Sequence, residues 1–174
     1  LTAINPHVSS FPFFIFYPTI LTSMTELNVP LIMGDTPLHN AAREDDLEQC
    51  ITLITNKAQV NATNSHGTTS LHIAAIHGHT AICRLLIDSK ALVSASANDE
   101  WTPLHYAAHQ SHEETCQLLI ERGANVNVFN EFKCTPLHIA TTVGNYNICH
   151  ALIEAHANVN FENDRWVTPI CIAA

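Results

Sequence analysis

Basic residues are scarce in this 174-residue chain, and they are never clustered. Seven lysines and arginines stand against sixteen aspartates and glutamates, a formal net charge of −9. The seven are scattered at Arg43, Lys57, Arg84, Lys90, Arg122, Lys133 and Arg165. Binding a run of phosphates takes a basic stripe, so nucleic-acid binding is disfavoured. An acidic surface instead favours solubility and steers the chain toward basic protein patches. Chemistry-bearing motifs are missing too. There is no glycine-rich phosphate loop, no Gly-x-Ser-x-Gly elbow, no Cys-x-x-Cys and no His-Glu-x-x-His. An enzyme activity, a cofactor and a metal are therefore not expected.

No apolar run is of membrane-spanning length. The stretch from Phe11 to Leu21 covers eleven residues and contains Pro12 and Pro18. It is too short to cross a bilayer, and its prolines interrupt a helix. No Lys or Arg precedes Arg43, so the basic segment that opens a secretory signal is missing. Residues 1–33 are expected to form an apolar, irregular N-terminal extension. Within it, 1–23 reads as an incidental translated segment with Met24 near a natural start; a truncated signal peptide is the alternative.

From residue 34 onward the chain is periodic. Thr36-Pro37-Leu38-His39 returns as Thr69-Ser70-Leu71-His72, Thr102-Pro103-Leu104-His105 and Thr135-Pro136-Leu137-His138, at a step of 33 residues. Thr168-Pro169-Ile170-Cys171 opens a fifth copy. Paired alanines follow at 41–42, 74–75, 107–108 and 173–174, with Ala140-Thr141 the departure. Alanines recur at 58, 91, 124 and 157, and valines at 60, 93, 126 and 159. In the third copy, helix A opens at Thr102 with proline at an early position. Helix B is expected from about Glu113 to Arg122, with Cys116, Leu119 and Ile120 buried. Gly123 is placed to end it in the left-handed conformation. A hairpin-like loop follows, its tip carrying Asn130, Glu131, Phe132 and Lys133.

The 33-residue period with Thr-Pro-Leu-His-x-Ala resembles the ankyrin repeat. The resemblance covers residues 34–174, with repeats starting near 36, 69, 102, 135 and 168 and the last cut short. It implies an all-α solenoid of antiparallel helix pairs with projecting loops, stabilised through contacts between neighbours. The signature histidines His39, His72, His105 and His138 are then expected to tie each repeat's loop to the next by hydrogen bonds. A neutral imidazole offers one donor and one acceptor for that task. His105, His109 and His112 stand at i, i+4 and i+7, and the first two could bracket a metal from one helix face, but the structural duty of His105 and the lack of a third ligand argue against zinc.

Cys50, Cys83, Cys116 and Cys149 occupy one column of helix B, where the family usually has valine. They are expected to be buried and reduced, since adjacent helices lie about 10 Å apart, beyond disulfide reach. A reduced column fits a cytoplasmic location, with a nuclear one as the alternative. Cys134 is the thiol expected to be most exposed. Ile148 and Leu152 are expected to be poorly covered, and the array to continue through the missing helix B.

The function implied by the resemblance is a non-catalytic interaction module, an adaptor or scaffold, gripping a protein partner on its concave loop and helix-A face. The substrate-receptor arm of a ubiquitin ligase is one alternative. A regulatory segment of a larger enzyme, channel or secreted toxin-like protein is another. Carried over position by position, the partner-binding residues are Ser65, His66, Thr68, Ile76 and His77, then Asn98, Asp99, Trp101, His109 and Gln110. Glu131, Phe132, Cys134, Thr142 and Val143 follow, with Asp164, Arg165 and Val167 in the fifth repeat. Trp101, Phe132 and Trp166 are the candidate anchors.

Two departures from the family pattern stand out. Its loop glycine is kept at Gly34 and Gly67 but replaced by Glu100, Lys133 and Trp166, which is expected to reshape or loosen those turns. An asparagine column at 61, 127 and 160, with Ser94 in the third repeat, is a possible target of an asparagine hydroxylase in the wider family. Here these residues read first as turn formers.

Overall fold

A computed structural model describes residues 34–169. The expectations for residues 1–33 and for 170–174 lie outside that range. Among the described residues eight helices follow in pairs: α1 (Pro37–Arg43) with α2 (Leu47–Thr55), α3 (Ser70–His77) with α4 (Thr80–Asp88), α5 (Pro103–His109) with α6 (Glu113–Glu121), and α7 (Pro136–Val143) with α8 (Tyr146–Glu154). No strand occurs among the described residues. The odd-numbered helices pack on one another in chain order, and the even-numbered helices form a second row.

None of these helices exceeds nine residues, and isolated helices shorter than ~12–15 residues are marginal in water. Packing therefore supplies their stability. The paired alanines Ala41, Ala42, Ala74, Ala75, Ala107 and Ala108 are completely buried, which lets the odd-numbered helices approach closely. Leu38, Leu71, Leu104 and Leu137 of the tetrapeptides fill the same core. In α6 the buried side is set by Cys116, Leu118 and Leu119, while Ile120 is only half-buried.

Backbone geometry repeats as faithfully as the sequence. Thirteen described residues, eight of them not glycine, have positive φ, and all fall on three positions of the repeat. Asp45, Gly78, Ser111 and Gly144 turn helix A into helix B; Lys57, Lys90, Gly123 and His156 end helix B. The loop tips use Gly34, Gly67, Glu100, Lys133 and Trp166. The last three were expected to reshape their turns, but they keep the left-handed conformation at φ 61, 51 and 59°. An L-residue there costs about 1–2 kcal/mol. The turns hold because their backbone bonds bridge the tips regardless of side chain: Asn98 N–H donates to His66 O, Glu131 N–H to Asp99 O and Asp164 N–H to Phe132 O, at 3.0, 3.2 and 3.3 Å.

Ile148 and Leu152, expected to be poorly covered, are 1% and 0% exposed. Helix α8 packs against both α6 and α7, and these two residues serve that side. Tyr146 and Ile153 are its exposed apolar residues.

Gly67 is a position where steric space decides the residue. A Cβ there would lie 2.9 Å from Asn98 N and closer still to the Asn98 side-chain oxygen. Asn98 folds back because its amide donates to Ser65 O at 3.0 Å. Gly67→Ala should therefore cost more than the roughly 1 kcal/mol of left-handed alanine. Part of the excess should vanish in an Asn98→Ala background, by ~0.5 kcal/mol or more. Urea unfolding of the four proteins measures this, and equal costs in both backgrounds would contradict the contact.

Candidate functional site

The side chains of each tetrapeptide build the joint between repeats. The threonine caps helix A, its N–H donating to Nδ1 of the histidine three residues on: Thr36 to His39, Thr69 to His72, Thr102 to His105 and Thr135 to His138, at 3.0–3.2 Å. An amide nitrogen can only donate, so Nδ1 is the acceptor and the proton sits on Nε2. Each Nε2–H then donates to a carbonyl 29 residues downstream. The acceptors are Thr68, Trp101, Cys134 and Val167, at 2.9, 3.2, 3.0 and 3.2 Å. All four rings are completely buried. The ties expected of the signature histidines are present at every junction.

A second histidine column was not recognised from the sequence. His79 and His112, 33 residues apart, are the N-caps of α4 and α6. Their Nε2 atoms lie 3.3 Å from Arg43 O and 3.0 Å from Ile76 O, the helix-A ends of the preceding repeats. The constant spacing was the available signal. Asparagines stitch the opposite edge: Asn61 donates to Lys90 O and accepts from Leu92 N–H. Asn127 does the same with His156 O and Asn158 N–H. Among the described residues no group of three His, Cys, Asp or Glu is placed to hold a metal.

The residues expected to meet a partner divide by exposure. Ser65, His66, His77, Asn98, Glu131, Phe132, Thr142, Val143, Asp164 and Arg165 are exposed. Ile76, Asp99, His109, Gln110, Cys134 and Val167 are half-buried. The bonds between tips bring the loop members into one row. Thr68 and Trp101 must be corrected, since each is only 7% exposed. The Trp101 indole lies against His105, Tyr106 and His109, with centroids 5.8, 5.0 and 5.7 Å away. Its loop is pinned as well, Asp99 accepting from Trp101 N–H and from the Tyr106 hydroxyl. Burial and the neighbouring Asp99 carboxylate push the Tyr106 phenol above its ordinary pKa. Trp101 is a core residue, not an anchor. Trp166, 82% exposed, and Phe132, 49% exposed, remain on the surface.

Two residue changes in one register, at Ala97 and Trp101, account for two unpartnered polar atoms. Positions 35, 68, 101 and 134 stand in register with 64, 97, 130 and 163. Asn64 donates to Asp35 at 2.7 Å and Asn163 to the Cys134 sulfur at 3.7 Å. Between them the pattern is broken twice. Thr68 is matched with Ala97, and its hydroxyl has no hydrogen-bond partner; Asn130 is matched with Trp101, and its Nδ2 has none. Ala97→Asn should restore a donor to Thr68 and raise stability by ~1 kcal/mol. A urea-unfolding midpoint that falls would show that the register does not carry the bond.

The cysteines need one correction, at Cys149. Cys50, Cys83 and Cys116 are fully buried and unpaired, but Cys149 is half-buried. Burial raises the thiol pKa to about 11 at Cys50 and about 12 at Cys83 and Cys116, so they are inert at neutral pH. Cys134, expected to be the most exposed thiol, is half-buried, as Cys149 is. Burial raises its pKa although the Asn163 hydrogen bond opposes the rise.

These features define a helical repeat solenoid whose joints are built by a Thr–His pair in each of the four described helix pairs. The family model described as ankyrin repeats matches residues 18–97 and 89–163, and the chain belongs to that family. No curated protein matches the chain in a sequence search. Ankyrin repeats are in general protein–protein interaction modules, and domains built from them are typically non-catalytic. No helix among the described residues is long and apolar enough to cross a membrane.

Burial lowers the pKa of all four signature histidines, to about 4 at His72 and His105. Unfolded histidine titrates near 6.5, so between that value and about 4 the unfolded chain binds more protons. The stability due to neutral histidine is complete above pH ~6.5 and is lost as pH falls through the window. Unfolding free energy in urea should drop steadily from pH 7 to 5, and His72→Gln should flatten the slope. A pH-independent value over that range would contradict the buried neutral rings.

Proposed function

We propose that the chain is a non-catalytic protein-interaction module, an adaptor or scaffold, whose partner lies along the concave row of loop tips and the adjoining helix-A ends. The observation that carries this reading is a division of labour at the tips. Backbone bonds and the buried histidines hold the stack, so Glu131, Phe132, Asp164 and Arg165 project from it without being needed for it. With Trp101 enclosed, Phe132 is the central anchor, and helix A adds Val143, 42% exposed. Aromatic anchors supply much of the energy of protein interfaces. An open row of tips gives poor ground for catalysis, which relies on pre-set dipoles in a water-excluding site. A reducing compartment, cytoplasmic or nuclear, suits the three buried unpaired thiols.

Photo-crosslinking in cells that make the protein tests the assignment. Benzoylphenylalanine at position 132 or 143 should trap the same partner, while the probe at Arg84, exposed on α4, should trap none. Phe132→Ala with Glu131→Ala should weaken the trapped partner by at least ~2 kcal/mol with helicity unchanged. Crosslinks confined to position 84, or undiminished binding by the double variant, would contradict the surface.

A further inference from the structure

In the row of even-numbered helices, the last helix differs from the one before it at two neighbouring positions. Leu85 of α4 and Leu118 of α6 are followed, 33 residues on, by Ala151 of α8. Leu85 is half-buried and Leu118 2% exposed, so a leucine in this column packs, while the first repeat has Thr52 there. One turn later, Arg122 reaches from the end of α6 to Asp88 of α4 and forms an ion pair. The matching residues of the next pair are Ala155 and Glu121. Alanine has no guanidinium, so no such bridge joins α8 to α6.

Where α8 lacks these two side chains, a groove of about 620 Å³ lies between α6 and α8. Ala151 and Ala155 line it together with Ile120 and Tyr146. The Tyr146 ring is 76% exposed, with His150 beside it at 6.1 Å. A smaller extension continues past Gln117 and Asn147 to Glu114. The surroundings are acidic: α6 and α8 contain Glu113, Glu114, Glu121 and Glu154, and neither helix contains lysine or arginine. Arg122, the cation that follows α6, is occupied by Asp88.

We propose that this groove is a second docking site, separate from the loop-tip face. Its occupant is a segment of a protein partner that inserts a leucine-sized apolar side chain flanked by lysine or arginine. The apolar part follows from the leucine that α4 and α6 have and α8 lacks, since Ala151 lines the groove beside the half-buried Ile120. The basic part follows from charge complementarity, since the glutamates of both helices have no cation among them. The same groove discourages acidic segments by like-charge repulsion.

The repeat provides its own test, because neighbouring units show which residues close the groove. Ala151→Leu supplies the leucine of α4 and α6, and Ala155→Arg places a cation opposite Glu121, as Arg122 stands opposite Asp88. Neither introduces a residue foreign to its column, and the melting temperature confirms that each variant is folded. The probe is a fluorescein-labelled amphipathic peptide of leucine and lysine, compared with its leucine–glutamate counterpart, read by anisotropy at near-physiological salt. The chain should bind the lysine peptide and not the glutamate peptide. Each groove variant should weaken binding about tenfold or more, while Phe132→Ala leaves it unchanged. Three results would each overturn the proposal. These are no binding of the lysine peptide, unchanged binding by both folded groove variants, and loss of binding in Phe132→Ala.

Discussion

Each joint of this array rests on one neutral imidazole shared between two repeats. Nδ1 takes the amide proton of the threonine that caps its own helix, and Nε2–H reaches a carbonyl at the foot of the next loop. Both bonds run through the same ring, so capping helix A and attaching the neighbouring repeat form one event. A typical hydrogen bond adds only about 0.5–1.5 kcal/mol net, yet a buried unpaired partner costs more than a formed bond contributes. Losing the histidine would strand an amide on one side and a carbonyl on the other. That asymmetry explains why the ring is kept at 39, 72, 105 and 138 while the residues around it vary.

The joint also frees the loop tips. Their backbones are linked by amide–carbonyl bonds that any residue can make, so glutamate, lysine and tryptophan occupy a left-handed position without changing the turn. Their strain is offset by the rest of the stack, in the manner of repeat proteins whose stability is summed over intrinsic and neighbour terms. Side-chain identity at the tips then becomes available for recognition. Gly67 is the exception, because the Asn98 side chain folds over it.

Much of this architecture was legible in the chain itself. The 33-residue step marks the helix pairs, the threonine caps and the histidine ties because one local geometry must recur wherever the same contacts recur. The fate of Trp101 was not legible. Its column holds aspartate, threonine, cysteine and valine elsewhere, so only the three-dimensional grouping of His105, Tyr106 and His109 shows that an indole is enclosed there. The hydroxyl of Thr68 and the amide of Asn130 lose their partners for a related reason: each bond needs two residues 29 apart, and Ala97 and Trp101 remove one of each pair. The His79–His112 column was visible as a spacing, but its role depends on where helix A of the preceding repeat ends. Cys149 differs from its three column-mates through its position on α8, which the spacing alone does not reveal.

The account depends on the protonation state of the four signature rings, and nuclear magnetic resonance reads that state directly. Long-range nitrogen–proton correlation at neutral pH should show His39, His72, His105 and His138 as Nε2–H tautomers with Nδ1 unprotonated. Their Nε2 protons should exchange slowly with solvent, as buried donors held by a carbonyl do. Rings in the Nδ1–H form, or charged rings with rapidly exchanging protons, would contradict the joint on which the structure is built.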